Sequence, residues 1–179
     1  MMEPGSSLPG HSVGMAGPEW GAAPWMDAEG DDGIEVILES TAWRAAVPRA
    51  EDWVRRAVNA ALDEAGMDGA VTVLLSDNRS VKGLNGRHRG KVKPTNVLSF
   101  PSAVPGQLGD IALAFGVVKR EARQGQRRIA VHLAHLVAHG TLHLCGYDHI
   151  QAGDARRMEQ AEARIMCRLG LPNPWRGVS

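Results

Sequence analysis

Apolar positions along this chain first follow the short runs of strands and later the wider spacing of helices. Gly33-Ile-Glu-Val-Ile-Leu alternates weakly and predicts a first strand. Pro48 then opens a helix with Glu51 and Asp52 in its first turn, where the helix dipole favours acids. Val54, Val58, Ala61, Leu62 and Ala65 recur at i, i+4, i+7, i+8 and i+11, and Gly66 supplies the stop. Ala70-Val-Thr-Val-Leu-Leu predicts a buried second strand. Ser76 or Asp77 caps a short helix through Leu84, which runs into a Gly-rich, basic loop over 85–93. Pro94 and Pro101 bracket a strand around 96–100, and 108–115 makes another. Helices follow over about 117–124, 128–144 and 153–169. The last of them carries Met158, Ala161, Ile165 and Leu169 on one face, with Met166 also read as core, and ends at Gly170 and Pro172. Strands early, helices late and one helix between the first two strands predict an α+β fold with a mixed four-stranded sheet packed with helices.

Composition narrows this to one domain with an extension. The chain has 179 residues, 44% of them apolar. A folded body of about 150 residues buries roughly two thirds of its unfolded surface and needs no staple. Two cysteines, Cys145 and Cys167, are too few for a disulfide framework and read as small core fillers. No basic patch with an apolar stretch opens the chain, and no uncharged apolar run reaches the ~20 residues that cross a bilayer. A cytoplasmic protein is expected.

The net charge of zero hides an asymmetry. Residues 1–33 hold six acids and no Lys or Arg, are rich in Gly and Pro, and show no periodicity. They predict a disordered acidic extension ahead of a domain over 34–179. The remainder holds 20 basic against 14 acidic side chains. No acid interrupts 78–109, where Arg79, Lys82, Arg87, Arg89, Lys91 and Lys93 stand. A second group is Lys119, Arg120, Arg123, Arg127 and Arg128, broken only by Glu121. Such clusters suit either a solvated surface or a polyanion.

The chemistry concentrates in the helix over 128–144. Between Ile129 and Cys145 the only non-apolar side chains are His132, His135, His139, Thr141 and His143. A helix apolar on nearly every face is buried, and buried imidazoles need partners. His139 and His143 are four apart, on one face and roughly 6 Å apart along the axis, so both can reach one ion. Gly146 can end the helix in a left-handed turn and deliver His149. His139-x-x-x-His143-x-x-Gly146-x-x-His149 therefore has the ligand spacing of a zincin-like three-His site. Zinc peptidases of that pattern carry Glu after the first His as general base; here that place is Gly140, which disfavours peptidase chemistry. Three protein ligands leave a position open for water or a substrate oxygen. His135 reads as a supporting or packing residue rather than a fourth ligand, and His132 as packing. Asp148 suits an orienting role beside His149, and Asp110 suits capping or lining the cleft.

His-Gly-Thr-Leu-His-Leu-Cys-Gly-Tyr-Asp-His (139–149) resembles the signature of the YbeY family. The likeness continues in Leu84-Asn-Gly-Arg-His-Arg-Gly-Lys-Val-Lys-Pro-Thr-Asn-Val-Leu-Ser-Phe-Pro (84–101) and in Gly109-Asp-Ile, covering about 34–172. The resemblance implies a metal-dependent endoribonuclease of late ribosome maturation, acting at the 3′ end of small-subunit rRNA. It implies a metal cleft between helices and sheet, one Zn2+ per chain on His139, His143 and His149, and a catalytic role for Arg89. Its expected partners are single-stranded rRNA and the small ribosomal subunit, with no membrane. The physics accords: phosphodiester cleavage builds negative charge that a Lewis acid stabilises, and the leaving group is an oxygen rather than an amine. Arg89 suits bidentate phosphate contact or simply added affinity, the basic 79–93 segment suits the RNA backbone, and Tyr147 and Phe100 suit base stacking. A second reading is a ribosome-associated RNA-binding maturation factor with a structural zinc and little turnover.

Overall fold

The computed structural model describes residues 33–89 and 96–176, the side chains of 87–89 excepted. The acidic segment 1–32, the loop residues 90–95 and the side chain of Arg89 lie outside the described residues. Ten elements follow one another: β1 (Ile34–Leu38), α1 (Thr41–Ala46), α2 (Ala50–Ala65), β2 (Ala70–Ser76), α3 (Asn78–Arg89), β3 (Val97–Pro101), β4 (Gln107–Ala114), α4 (Phe115–Gln124), α5 (Ile129–Leu144) and α6 (Ala152–Arg168). The sheet order is β1-β2-β4-β3; β1, β2 and β4 run parallel, and β3 pairs antiparallel with β4 at the outer edge. The mixed four-stranded α+β architecture is as the sequence predicts.

Strand alternation divides the sheet into two faces. Val71, Val73, Leu75, Ile111 and Leu113 join the main core with α2, α5 and α6. Leu98, Ala112 and Ala114 point the other way and pack against Val81 and Leu84 of α3 and Val117 of α4. Met158, Ala161, Ile165 and Met166 are buried in the main core.

The structure corrects several expectations. The helix expected to stop at Leu84 continues to Arg89. Gly83, Asn85 and Gly86 lower its intrinsic propensity, but burial of Val81, Leu84 and Asn85 against the sheet outweighs that. Asp77 caps it, its Oδ1 accepting from the Ser80 N–H at 2.8 Å. Helix α1, only six residues long, carries no readable periodicity; Trp43 holds it down, fully buried, with Nε1–H donating to the Ser76 carbonyl at 2.9 Å. Cys145 is half-buried beside the core, whereas Cys167 is exposed on α6 and fills no core space. Among the described residues, no helix is long and apolar enough to cross a membrane.

Candidate metal centre and its cleft

Helix α5 is buried on nearly every side, and His139 and His143 occupy its half-buried strip. The helix ends in a Schellman turn. Gly146 adopts φ +92°, a value that side-chain-bearing residues rarely accept. Its N–H donates to the His143 carbonyl and the Tyr147 N–H to the Leu142 carbonyl, each at 3.0 Å. The chain thereby folds back and brings the exposed His149 over the same strip, with the Asp148 carboxylate accepting from the His149 backbone N–H at 2.7 Å. One nitrogen from each of His139, His143 and His149 lies within 4.8 Å of the others. The structure brings together the three histidines that the spacing singled out.

Hydrogen bonds set their tautomers. His139 donates Nδ1–H to Glu162 Oε1 at 2.5 Å, and His143 donates Nδ1–H to the Tyr147 carbonyl at 3.0 Å. With both Nδ1 protons engaged, both Nε2 atoms carry lone pairs, and these atoms stand 3.1 Å apart. Facing lone pairs at that distance repel unless a proton or a cation sits between them. Two ligands of a tetrahedral zinc, each about 2.0–2.1 Å from it, are separated by roughly 3.3 Å. The donor set thus fits a small divalent cation. Burial, with the neighbouring His139 adding to it, lowers the His143 pKa and favours the neutral imidazole that a metal requires.

Glu162 is the functional candidate that sequence reasoning missed. It is fully buried on α6, accepting from His139, from His135 Nε2–H at 3.1 Å and from Trp175 Nε1–H at 2.9 Å. Burial alone would raise its pKa; the hydrogen bonds and charges of His135 and His139 overcome that and bring it down to about 2. A buried carboxylate behind a ligating imidazole orients the ring and raises its basicity. Its signal was available: Glu162 interrupts the apolar stripe of α6, where a solvated charge has no place.

His135 turns to Glu162 and stays outside the three-His group, in the supporting role expected of it. His132 pairs with Glu121, its Nε2 2.8 Å from the carboxylate. Asp110 lies on the α3 face of β4 and hydrogen-bonds Thr72, away from the cleft lining; burial raises its pKa. Phe100, expected as a stacking platform, points to that same face with Leu98 because β3 alternates. Tyr147 does line the cleft.

The cleft in front of the histidines has a volume of about 510 Å3. Asn96, Val97, Ser99 and Pro101 line one side, and Tyr147 and Asp148 the other. Gly140 faces the sheet: a Cβ there would stand 3.1 Å from both Ile111 Cγ2 and Ser99 Oγ. The close approach of α5 to β3 and β4, with Ser99 Oγ–H donating to the Gly140 carbonyl at 3.2 Å, means that Ile111 and Ser99 would have to give way for any side chain here, a peptidase-type glutamate included.

Comparison with known proteins accords with this geometry. The family model described as Endoribonuclease YbeY matches residues 37–170. A relative from Gluconobacter oxydans, named Endoribonuclease YbeY, is 47% identical over 148 residues, covering 80% of this chain and 88% of its own. Another of the same name from Rhodopseudomonas palustris is 45% identical over 154 residues, with 80% of each chain covered. In fold, the chain is similar to the solution structure of TM1509 from Thermotoga maritima, with a TM-score of 0.53 at 24% identity, covering 80% of this chain and 99% of that one. With its signature histidines gathered at one cleft and its sequence matched across the whole body, this chain belongs to the YbeY endoribonuclease family.

Proposed function

We propose that this protein is a metal-dependent endoribonuclease that cuts single-stranded RNA, acting in the cytoplasm late in ribosome maturation at the 3′ end of small-subunit rRNA. The domain over 34–179 carries the activity. The observation that carries the reading is the convergence of His139 and His143 Nε2 lone pairs, 3.1 Å apart, beside an open cleft with no glutamate after His139. The name that the relatives bear supports RNA as the substrate.

His139, His143 and His149 would hold the ion, zinc being the one their nitrogens suit best. When bound, it would supply Lewis acidity toward the phosphodiester oxygens and would acidify the attacking hydroxyl, whether that of water or the RNA 2′-hydroxyl. The chain does the rest. Glu162 and the Tyr147 carbonyl keep the Nδ1 protons of His139 and His143 pointed away from the cleft. The α5–β3 wall fixes one side of the substrate's seat, and Tyr147 offers an aromatic face to a base. Arg89, which the family likeness links to activity, would supply bidentate contacts to phosphate.

The test is cleavage of a labelled single-stranded RNA by the purified chain. His143→Ala and Arg89→Glu should abolish the cut, and a chelator should abolish it reversibly. Cleavage that persists in both variants would belong to a contaminant and would end the proposal.

A further inference from the structure

The cleft lining described above contains no lysine or arginine among the described residues, although a polyanion would have to cross it. Helix α4, whose Glu121 reaches the cleft wall, carries a concentration of positive charge with described side chains. Its Val117, Val118 and Ala122 are buried, and Lys119, Arg120 and Arg123 are exposed within about 100° of one another around the helix. Arg128, at the start of α5, is exposed as well. Arg120, Arg123 and Arg128 have no carboxylate partner among the described residues.

Glu121, the one acid in this run, would cancel part of the field if it faced outward. Instead it is drawn inward. Its carboxylate accepts from Asn96 Nδ2 at 3.0 and 3.2 Å and pairs with His132 at 2.8 Å. Asn96 is itself part of the cleft wall. One side chain therefore both turns its negative charge away from the basic face and ties α4 to the lip of the three-histidine cleft.

We propose that the Lys119–Arg120–Arg123 face of α4 is a docking surface for the RNA backbone, continuing the substrate path beyond the Asn96 end of the cleft. The proposal rests on the endoribonuclease reading above and names where flanking nucleotides run. Charge selects the occupant: guanidinium groups free of carboxylates match phosphate oxygens in bidentate geometry. The face also lacks what a protein partner needs. None of the large exposed apolar residues, Ile37, Met67, Val104, Ile150 and Trp175, lies on α4, so no apolar anchor is present.

The experiment measures binding of a labelled single-stranded RNA to the full chain by fluorescence anisotropy across a series of KCl concentrations. Each phosphate neutralised on a single strand contributes about 0.7 to the slope of log affinity against log salt. The triple variant Lys119→Gln, Arg120→Gln, Arg123→Gln should lose roughly 2 from that slope and on the order of 10- to 100-fold in affinity at 50 mM salt. Its thermal midpoint and metal content should stay those of the wild type. A control triple, Arg44→Gln, Arg49→Gln, Arg56→Gln, removes equal charge from another part of the surface and should leave the slope nearly intact. An unchanged slope in the α4 variant, or an equal loss in the control, overturns the proposal. Retained RNA binding with lost binding to polyglutamate would assign the face to an acidic protein and overturn it too. A wild-type chain that binds no RNA would instead refute the endoribonuclease reading.

Discussion

At the residue scale, the site depends on what stands behind the three histidines. Glu162→Gln keeps the shape but presents an amide where His139, His135 and Trp175 all donate to a carboxylate. It should weaken metal affinity about 10- to 100-fold, measured by competition with a chromogenic chelator; an unchanged affinity would show that Glu162 merely fills space. Gly140 is set by proximity rather than by backbone freedom. Gly140→Ala should cost about 1–3 kcal/mol in denaturant unfolding, because Ile111 and Ser99 must both give way. The three ligand candidates were legible because a helix repeat and a glycine stop are local facts. Glu162 was legible only as an anomaly, since its partners come from α5 and from the segment after α6, and nothing local announces them.

Elements obey packing before propensity. Helix α3 contains two glycines and an asparagine between residues 83 and 86, yet persists to Arg89 because Val81 and Leu84 cover the second sheet face. Leu84→Ala should cost about 2–5 kcal/mol, whereas Lys82→Ala, on the exposed side, should stay within about 0.5 kcal/mol; equal effects in urea unfolding would contradict this account of α3. The same dependence on long-range contacts explains why the sequence located every strand to within a residue or two but missed α1, whose Trp43 bonds to Ser76 across 33 positions. It also explains the misplacement of Phe100. The alternation of β3 was readable, but which of its faces meets α5 is decided by the sheet order.

For the molecule as a whole, acid sensitivity should follow from the buried histidine that ties α5 to α4. Burial lowers the folded His132 pKa below its usual value of 6.5, against the opposing pull of Glu121. Protonation therefore costs more in the folded chain. This contribution to stability is intact above about pH 6.5 and is lost as pH falls through the lowered folded value. Urea midpoints should decline on that descent, and His132→Gln should make the decline shallower; a profile unchanged by the substitution would remove His132 from the explanation. The zero net charge likewise describes no particular place on the protein, since cations cluster on α3 and α4 while residues 1–33 hold six acids and no Lys or Arg.

The central claim is that His139, His143 and His149 form one cation site. Elemental analysis of the chain purified without chelator tests it most directly. About one divalent ion, zinc foremost, is expected per wild-type chain, with almost none in a folded His139→Ala variant. A wild-type chain without metal, or a variant that keeps its full complement, would contradict the claim.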